Sequence, residues 1–294
     1  MRRTFIAPAL AAFLAVGVVG TTAEAAQSRR ASGGNDCATR NSRGRDLQVV
    51  GLLDDGSLVC FEDDNARNVD TIGLVSGLDQ DAAIVGIDYR PANNVLYGLG
   101  NAAGVYTIDV TNAQATLVSR LNQPLQGSSF GVDFNPTVDR LRIVSDTGQN
   151  LRANVDDGMT TVDGPLNIPG TTPVNPALGV TAVAYTNNDA DPNTATTLFD
   201  VDTTNDNTVI QAPANAGSLS PTGKLGVDAA GPVGFDIYSS VRNGTTTSLR
   251  ALASIVGPDG SASLYRIDLL AGRTYDAHKF RVPVVDIAIP TAQS

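Results

Sequence analysis

The sequence predicts an all-β protein built from repeated four-stranded units, and three observations predict it. Good helix formers for a protein surface are scarce, with two glutamates and two lysines in 294 residues, while Val, Thr, Asp, Asn and Gly are abundant. One strand motif recurs about every 50 residues. The two ends of the chain carry complementary parts of a single unit. Together these observations predict a closed ring of β-sheets with very little helix.

The clearest unit opens with a hairpin at Ser129–Ser145. Val132 and Phe134 alternate with small or polar residues, which is the pattern of a half-buried strand. Asn135-Pro136 interrupts this run, because proline cannot donate to a sheet and asparagine tolerates turn geometry. The following apolar residues resume an extended pattern, so the stretch predicts a strand, a turn and a second strand.

The first strand of this hairpin belongs to a repeated motif: a small residue, an apolar residue, often Asp, and an apolar residue. The motif occurs at Gly86–Tyr89, Gly131–Phe134, Ala182–Tyr185, Gly234–Ile237 and, in degenerate form, Val285–Ala288. Successive instances begin 45, 51, 52 and 51 residues apart. A period near 50 that is filled with strands alone is typical of the blades of a β-propeller.

A second element, an apolar-aromatic run that ends in an acid, follows within each unit. Its clearest instances are Val105–Asp109, Leu198–Asp202 and Leu264–Asp268. The N-terminal unit (47–78) lacks the first strand of a blade, and the C-terminal stretch 283–290 supplies only that strand. We therefore predict one propeller domain over residues 46–291, with five blades, closed by the C-terminal strand joining the N-terminal module. Six blades are the alternative if the segment 179–232 contains an extra small blade.

The first 45 residues predict export. Residues 1–25 combine Arg2 and Arg3, an apolar stretch too short to span a bilayer and a small-residue cleavage site near Ala25 or Ala26, as in a signal peptide. The start also resembles a twin-arginine signal, so export by the general or the twin-arginine route stays open. Residues 26–45 are polar and arginine-rich, which predicts a disordered arm. We expect a secreted, extracellular protein with no membrane span.

Charge and cysteine content further narrow the class of protein to which this chain could belong. The chain has 20 basic and 30 acidic residues, and seven of the basic ones precede residue 46, which leaves 13 basic against 28 acidic residues in the propeller. This excess of acidic residues argues against nucleic-acid binding, because binding the phosphate backbone needs a basic surface. Cys37 and Cys60 are the only cysteines, and in an exported protein they are expected to form a disulfide between the arm and the first blade.

Several of these stretches resemble one known family. GVDFNP at Gly131–Pro136, followed by DRLRI at Asp139–Ile143, is similar to the motif pair of the bacterial domain-of-unknown-function family numbered forty-three ninety-four. LFDVDT at Leu198–Thr203, GFDIY at Gly234–Tyr238 and LYRIDL at Leu264–Leu269 fit the same family, and the resemblance extends from about Leu47 to Pro290. It implies a secreted or surface-associated propeller. It implies no activity and no mapped site.

Three aspartates share one position of the repeat, and they are the first candidates for a site. Asp88, Asp133 and Asp236 lie in the predicted innermost strands. They either line the channel and bind a cation or polar ligand, or accept hydrogen bonds from a neighbouring blade. Because the residue recurs in three blades, the packing interpretation is favoured.

Arg140 and Arg142 break the repeat, and a spacing of two places them on one strand face. One interpretation is a structural ion pair with Asp133 or Asp139; the other is a clamp for an anion or carboxylate at the ring centre. Asp189, Asp191, Asn193 and Asp200 imitate an oxygen-rich calcium loop without its usual glycine and glutamate. Calcium is the one cofactor that the sequence suggests, and otherwise we expect none.

Catalytic motifs are weak. Gly127–Gly131 matches the string of a serine nucleophile elbow around Ser129, but it leads into a strand, and the sole histidine, His278, belongs to another unit. We therefore expect a monomeric secreted propeller that acts as a binding or interaction module for an extracellular ligand or surface component, and an enzyme is less favoured. The alternative is a metal-assisted hydrolase or lactonase with a calcium in the propeller channel.

Overall fold

Five four-stranded antiparallel sheets form the blades of a ring around one channel. They are seen in a computed structural model that describes residues 46–170 and 175–293. The predicted signal peptide (1–25), the polar arm (26–45) and Cys37 lie outside the described residues. Within the described ranges, no helix is long and apolar enough to cross a membrane.

Each blade is a meander whose innermost strand lines the channel. Blade 1 contains β1 (Gln48–Leu53), β2 (Ser57–Glu62), β3 (Asp70–Leu74) and, innermost, β22 (Val284–Ala288). Blade 2 contains β4 (Ile84–Arg90), β5 (Val95–Gly100), β6 (Gly104–Asp109) and β7 (Gln114–Arg120). Blade 3 contains β8 (Phe130–Asn135), β9 (Arg140–Ser145), β10 (Asn150–Ala153) and β11 (Thr160–Val162).

The remaining strands complete the ring. A two-stranded sheet of β12 (Asn167–Ile168) and β13 (Asn175–Pro176) precedes the fourth blade. Blade 4 contains β14 (Val180–Tyr185), β15 (Leu198–Asp202), β16 (Asn207–Gln211) and β17 (Leu219–Lys224). Blade 5 contains β18 (Val233–Arg242), β19 (Thr245–Val256), β20 (Ala262–Asp268) and β21 (Arg273–Lys279). The segment 179–232 thus forms a single blade, and the six-bladed alternative is wrong.

The first and the last strand of the described chain pair as the sequence predicts. β22 pairs antiparallel with β1, with Val50 opposite Ala288 and Leu52 opposite Asp286. The backbone N–H of Gln48 also donates to Gln293 Oε1 at 3.0 Å. Without this pairing, β1 would present a free inner edge to the channel. This pairing therefore provides hydrogen-bond partners for backbone groups of β1 and β22 and removes two exposed strand edges.

The small residue of the repeat is required because neighbouring innermost strands pack backbone against backbone. A Cβ atom added at Gly131 would lie 2.6 Å from the Cα atom of Ala182 in the next blade. A Cβ atom at Gly234 would lie 2.5 Å from the Cα atom of Asp286. A larger side chain at either position would push two blades apart. The motif that marks each blade is thus a packing requirement of the ring.

Apolar clusters lie between successive blades of the described chain. Val50 and Leu52 of blade 1, for example, pack with Ile87 and Tyr106 of blade 2. The cluster between blades 3 and 4, which includes Val144 and Tyr185, is accompanied by a group of buried polar side chains. Cys60 is buried in β2, and because Cys37 lies outside the described residues its disulfide stays a prediction.

Candidate functional site

Carboxylates from four of the five innermost strands converge on the channel. They are Asp88 of β4, Asp133 of β8, Asp236 of β18 and Asp286 of β22. The matching position in β14 holds Ala184. We call these four residues the aspartate ring. The structure therefore brings together the three aspartates predicted from the repeat and adds Asp286.

Each carboxylate of the aspartate ring accepts a backbone hydrogen bond from the innermost segment of the next blade. Asp88 Oδ2 accepts from the N–H of Phe134 at 2.7 Å, and Asp133 Oδ1 accepts from the N–H of Tyr185 at 3.1 Å. These bonds join blade 2 to blade 3 and blade 3 to blade 4. They satisfy N–H groups on the channel side of each strand, where no further strand follows.

Asp236 and Asp286 make the corresponding hydrogen bonds to blades 1 and 2. Asp236 Oδ2 accepts from the N–H of Ile289 at 2.6 Å, and Asp286 Oδ2 accepts from the N–H of Ile87 at 2.8 Å. Four of the five blade junctions therefore have a hydrogen bond from a backbone N–H to a ring carboxylate, which we call a carboxylate clasp. The junction of blades 4 and 5 has none, because Ala184 has no acceptor in its side chain. This arrangement agrees with the packing interpretation of the repeated aspartates.

The cluster is electrostatically unfavourable when it is fully charged. One oxygen from each of Asp88, Asp133 and Asp236 lies within 4.8 Å of the other two, which is a spacing that could also hold a metal ion. Burial, followed by the charges of neighbouring ring members, raises the pKa of Asp88 and Asp133 well above the ordinary value. Burial raises the pKa of Asp236 to about 7 and that of Asp286 to about 8, against the lowering effect of their backbone hydrogen bonds.

A cavity of about 600 Å³ opens above the aspartate ring, where the innermost strands begin. We call it the mouth cavity. All five blades contribute to its lining, for example through Leu53, Val85, Phe130, Thr181 and Val233. Such a volume falls within the range of small-molecule sites, roughly 300–1,000 Å³. The ring of blades thus creates a concave site that no single repeat could form.

Polar groups in the mouth cavity are few and are acids or hydroxyls. Asp286 lies in its lining, half-buried, and Asp54 and Asp55 lie in the exposed turn between β1 and β2. Thr181 is only 7% exposed, and its hydroxyl has no hydrogen-bond partner among the described residues. None of the lining residues in the described ranges is Lys, Arg, His or Cys. The site therefore offers acceptors and negative charge to a ligand.

Arg142 lies away from the ring centre, between blades 3 and 4, and is 1% exposed. Its guanidinium donates to Asn150 Oδ1 and Asp163 Oδ2, both at 2.7 Å, to Asn215 Oδ1 at 2.8 Å and to the Tyr185 hydroxyl at 3.3 Å. Four acceptors within the fold occupy it, so it is an internal structural cation. The sequence suggested Asp133 or Asp139 as the ion-pair partner. The partner in the structure is Asp163, which lies in the segment after β11.

Arg140 is half-buried at the start of β9, and its Nη1 donates to the backbone carbonyl of Asp139 at 2.7 Å. The carboxylate of Asp139 pairs instead with Arg90 of blade 2, at 2.6 Å. The two arginines therefore occupy different environments, one at the blade end and one between blades. The structure does not assemble them into an anion clamp.

The calcium loop predicted from four oxygen-bearing residues does not come together in the described chain. Asp189, Asp191 and Asn193 lie in an exposed turn, where Asp191 Oδ1 accepts from the N–H of Asn193 at 2.9 Å. Asp200 lies in mid-strand in β15 and is fully buried. The acids of this set are not among the described groups close enough to share a metal ion.

Asp200 instead belongs to the interface of blades 3 and 4. Neither of its carboxylate oxygens has a hydrogen-bond partner among the described residues. Burial raises the pKa of this carboxyl well above its ordinary value, and the nearby Arg142 lowers it only in part. By contrast, hydrogen bonds from Arg152 and Arg142 hold the pKa of Asp163 below its ordinary value in spite of burial. The interface thus contains Asp163, whose carboxylate has hydrogen-bond partners, and Asp200, whose carboxylate has none among the described residues.

The fold and the mouth cavity define a five-bladed β-propeller with a ligand-sized site at one end of its channel. The chain belongs to the family described as Domain of unknown function (DUF4394), whose family model matches residues 57–288. A comparison with curated proteins finds no match.

Solved structures match this chain at low similarity. A protein of unknown function from Bacteroides thetaiotaomicron is 14% identical, with a TM-score of 0.44, and the alignment covers 87% of this chain and 64% of that protein. YCF48 from Cyanidioschyzon merolae is 11% identical, with a TM-score of 0.39, covering 79% of this chain and 68% of the other. This chain therefore spans less than two thirds of the Bacteroides protein.

Proposed function

We propose that this protein is an exported binding module whose ligand occupies the mouth cavity. The observation that carries the proposal is the cavity itself, which has apolar walls, a few converging polar groups and contributions from all five blades. The signal-peptide pattern of residues 1–25 supports export. The ligand is therefore expected outside the cytoplasm, in the medium or at the cell surface.

The residues of the cavity support binding more than catalysis. Ser129, from the sequence that resembles a nucleophile elbow, lies in the cavity lining. His278 lies outside this lining, in the outer strand β21 beside Asp276. A serine nucleophile needs a base within hydrogen-bond reach. Of the lining residues that the structure describes, only carboxylates could take that role, and one of them, Asp286, already accepts from the N–H groups of Ile87 and Ile287.

A metal-assisted hydrolase is the second candidate, favoured by the close approach of Asp88, Asp133 and Asp236. Against it, these carboxylates already accept backbone hydrogen bonds that join the blades. Thermal unfolding with and without a chelator, followed by metal analysis, separates the two proposals. A binding module keeps its melting temperature within about 1 °C, whereas a channel metal site loses several degrees on chelation.

A fragment screen by thermal shift tests the proposed site. We compare the wild type with Ser129→Trp, which fills the mouth cavity, and with Ser220→Trp, on the outer strand β17, as the matched control. Fragments that stabilise the wild type and Ser220→Trp but not Ser129→Trp support the proposal. Hits that are insensitive to Ser129→Trp, or the lack of any hit, contradict it.

Export is tested separately. The full-length chain is produced in a bacterial host, and the protein is recovered from each cell fraction. We expect a mature protein outside the cytoplasm whose N-terminus, read by mass spectrometry, begins near residue 26. An uncleaved chain retained in the cytoplasm would contradict this part of the proposal.

A further inference from the structure

We infer that the mouth cavity selects a ligand with an apolar body and a cationic amine, the amine meeting Asp286 and the hydroxyl of Thr181. This inference rests on the proposed function and names the chemical class of its ligand. It follows from the division of the cavity into apolar walls and acidic or hydroxyl-bearing polar groups.

The walls fit the apolar part of such a ligand. Leu78, Val85, Phe130 and Val285 are all half-buried in the lining, so each presents apolar surface that a ligand could cover. Burial of this surface is favourable and increases with the apolar area removed from water. A ligand with no apolar part would leave these side chains facing water and would forgo this gain.

The charges of the cavity all have one sign. Among the described residues, the ionisable ones in the lining are Asp54, Asp55 and Asp286, and none of the lining residues is basic. The exposed carboxylates of Asp54 and Asp55 attract cations and repel carboxylates and phosphates, and an ammonium group beside Asp286 favours the ionised form of that carboxyl, whose pKa burial raises to about 8.

Thr181 provides an observation independent of the acids. Its side chain is more than nine-tenths buried in the cavity wall, and its hydroxyl has no partner among the described residues. A buried polar group without a partner is costly, so a ligand N–H that donates to this oxygen relieves the cost. Asp286 can accept from the same ligand because each carboxylate oxygen has a second lone pair beyond its backbone hydrogen bond.

Isothermal titration with four octyl probes tests the inference at pH 7.5 and low salt. Octylamine carries the predicted head group, octanol is its neutral counterpart, octanoate is its anionic counterpart, and octyltrimethylammonium keeps the charge but has no N–H donor. We expect octylamine to bind at least about tenfold more tightly than octanol, and octanoate to give no measurable binding. Octyltrimethylammonium should fall between octylamine and octanol, because it keeps the attraction to the acids but cannot donate a hydrogen bond to Thr181 or Asp286.

Matched variants assign the selectivity to named groups. Asp55→Asn removes a rim charge, and Asp157→Asn is its control, because both carboxylates accept from the backbone two residues ahead and Asp157 lies outside the cavity lining. Asp55→Asn should weaken octylamine binding about threefold with octanol unchanged, and Asp157→Asn should change neither. Thr181→Val should reduce the preference for octylamine over octyltrimethylammonium, and the hydrogen bond from the amine to Asp286 should account for what is left.

The outcomes separate this inference from the proposed function. Octanol or octanoate binding as tightly as octylamine, with Ser129→Trp blocking the binding, overturns the ligand class and leaves the cavity as the site. Octylamine binding that Ser129→Trp does not affect overturns both. If none of the four probes binds, the amine inference is wrong, and the fragment screen decides the proposed function on its own.

Discussion

The carboxylate of Asp88 accepts the backbone N–H of Phe134 across the junction of blades 2 and 3, at 2.7 Å. The same carboxylate accepts from the N–H of Tyr89 in its own strand, also at 2.7 Å. One side chain thus satisfies two buried backbone donors on the channel side of neighbouring blades. The relationship recurs around the ring with Asp133, Asp236 and Asp286, and it makes the repeated aspartate part of the architecture.

Replacing Asp88 tests this clasp. Asp88→Ala leaves the N–H groups of Phe134 and Tyr89 without their acceptor, so we expect a loss of about 1–3 kcal/mol in the free energy of unfolding, measured with urea. Asp109→Ala is the control, because Asp109 is an exposed turn acid that caps only its own loop. Equal stability of the two variants would show that the clasp contributes nothing.

The aspartate ring also predicts how stability depends on pH. Folding raises the pKa of its carboxyls, to about 7 for Asp236 and about 8 for Asp286, so the folded state binds more protons than the unfolded state. These groups therefore stabilise the folded state most at and below about pH 4, the ordinary carboxyl pKa, and this contribution is lost as the pH rises towards 8. Urea unfolding at several pH values measures this trend. A stability that climbs steadily between pH 5 and 8 would contradict it.

The two arginines that break the repeat should differ sharply in their effect on stability. Arg142→Met removes a buried cation and leaves Asp163, Asn150 and Asn215 without its hydrogen bonds, so we expect a loss of about 3–5 kcal/mol. Arg140→Met changes a half-exposed side chain bonded mainly to a backbone carbonyl and should cost less than about 1 kcal/mol. Similar losses for both would refute the assignment of Arg142 as the internal cation.

Asp200 and Asp163 form a second matched pair in the interface of blades 3 and 4. Asp200→Asn replaces an unpartnered buried carboxyl with a neutral group of the same shape, so we expect unchanged or higher stability at pH 8. Asp163→Asn weakens the contacts with Arg142 and Arg152 and should destabilise at the same pH. Chemical unfolding of both variants measures the difference, and the reverse order would contradict the structure.

The sequence was sufficient for the architecture because the blade repeat is a local pattern that each unit must satisfy. The small residue is needed where innermost strands touch, as at Gly131, and the acid is needed where a channel-side N–H has no strand partner, as at Asp133. Both requirements recur in most blades, so they are visible as a period. The prediction that β22 completes blade 1 followed from counting the same elements at the two ends and is confirmed.

Asp286 was missed as a ring member because the last repeat is degenerate. Started one residue earlier, at Val284, the motif would have placed Asp286 at the same position as Asp236. Its hydrogen bond to the N–H of Ile87 spans 199 residues and has no local pattern. The signal was therefore present in the sequence, but only the register of β22 against β1 fixes it.

The mouth cavity and the interface of blades 3 and 4 could not be predicted, since both depend on residues from separate blades. The cavity combines turns and strand starts from all five blades, and Thr181 has no distinctive sequence context. Arg142 finds Asp163 through the path of the chain after β11, whereas the hairpin pattern suggested Asp133 or Asp139. Asp200 matched a calcium-loop spacing, but its position in mid-strand buries it away from solvent.

A crystal structure of the protein soaked with octylamine and calcium chloride tests most directly the central claim, that the aspartate ring joins blades while the cavity above it binds the ligand. We predict amine density in the mouth cavity, with its nitrogen near Asp286 and Thr181, and Asp88, Asp133 and Asp236 still bonded to the backbone of neighbouring blades without a metal. Anomalous density for calcium among those three carboxylates, with the cavity empty, would contradict the account.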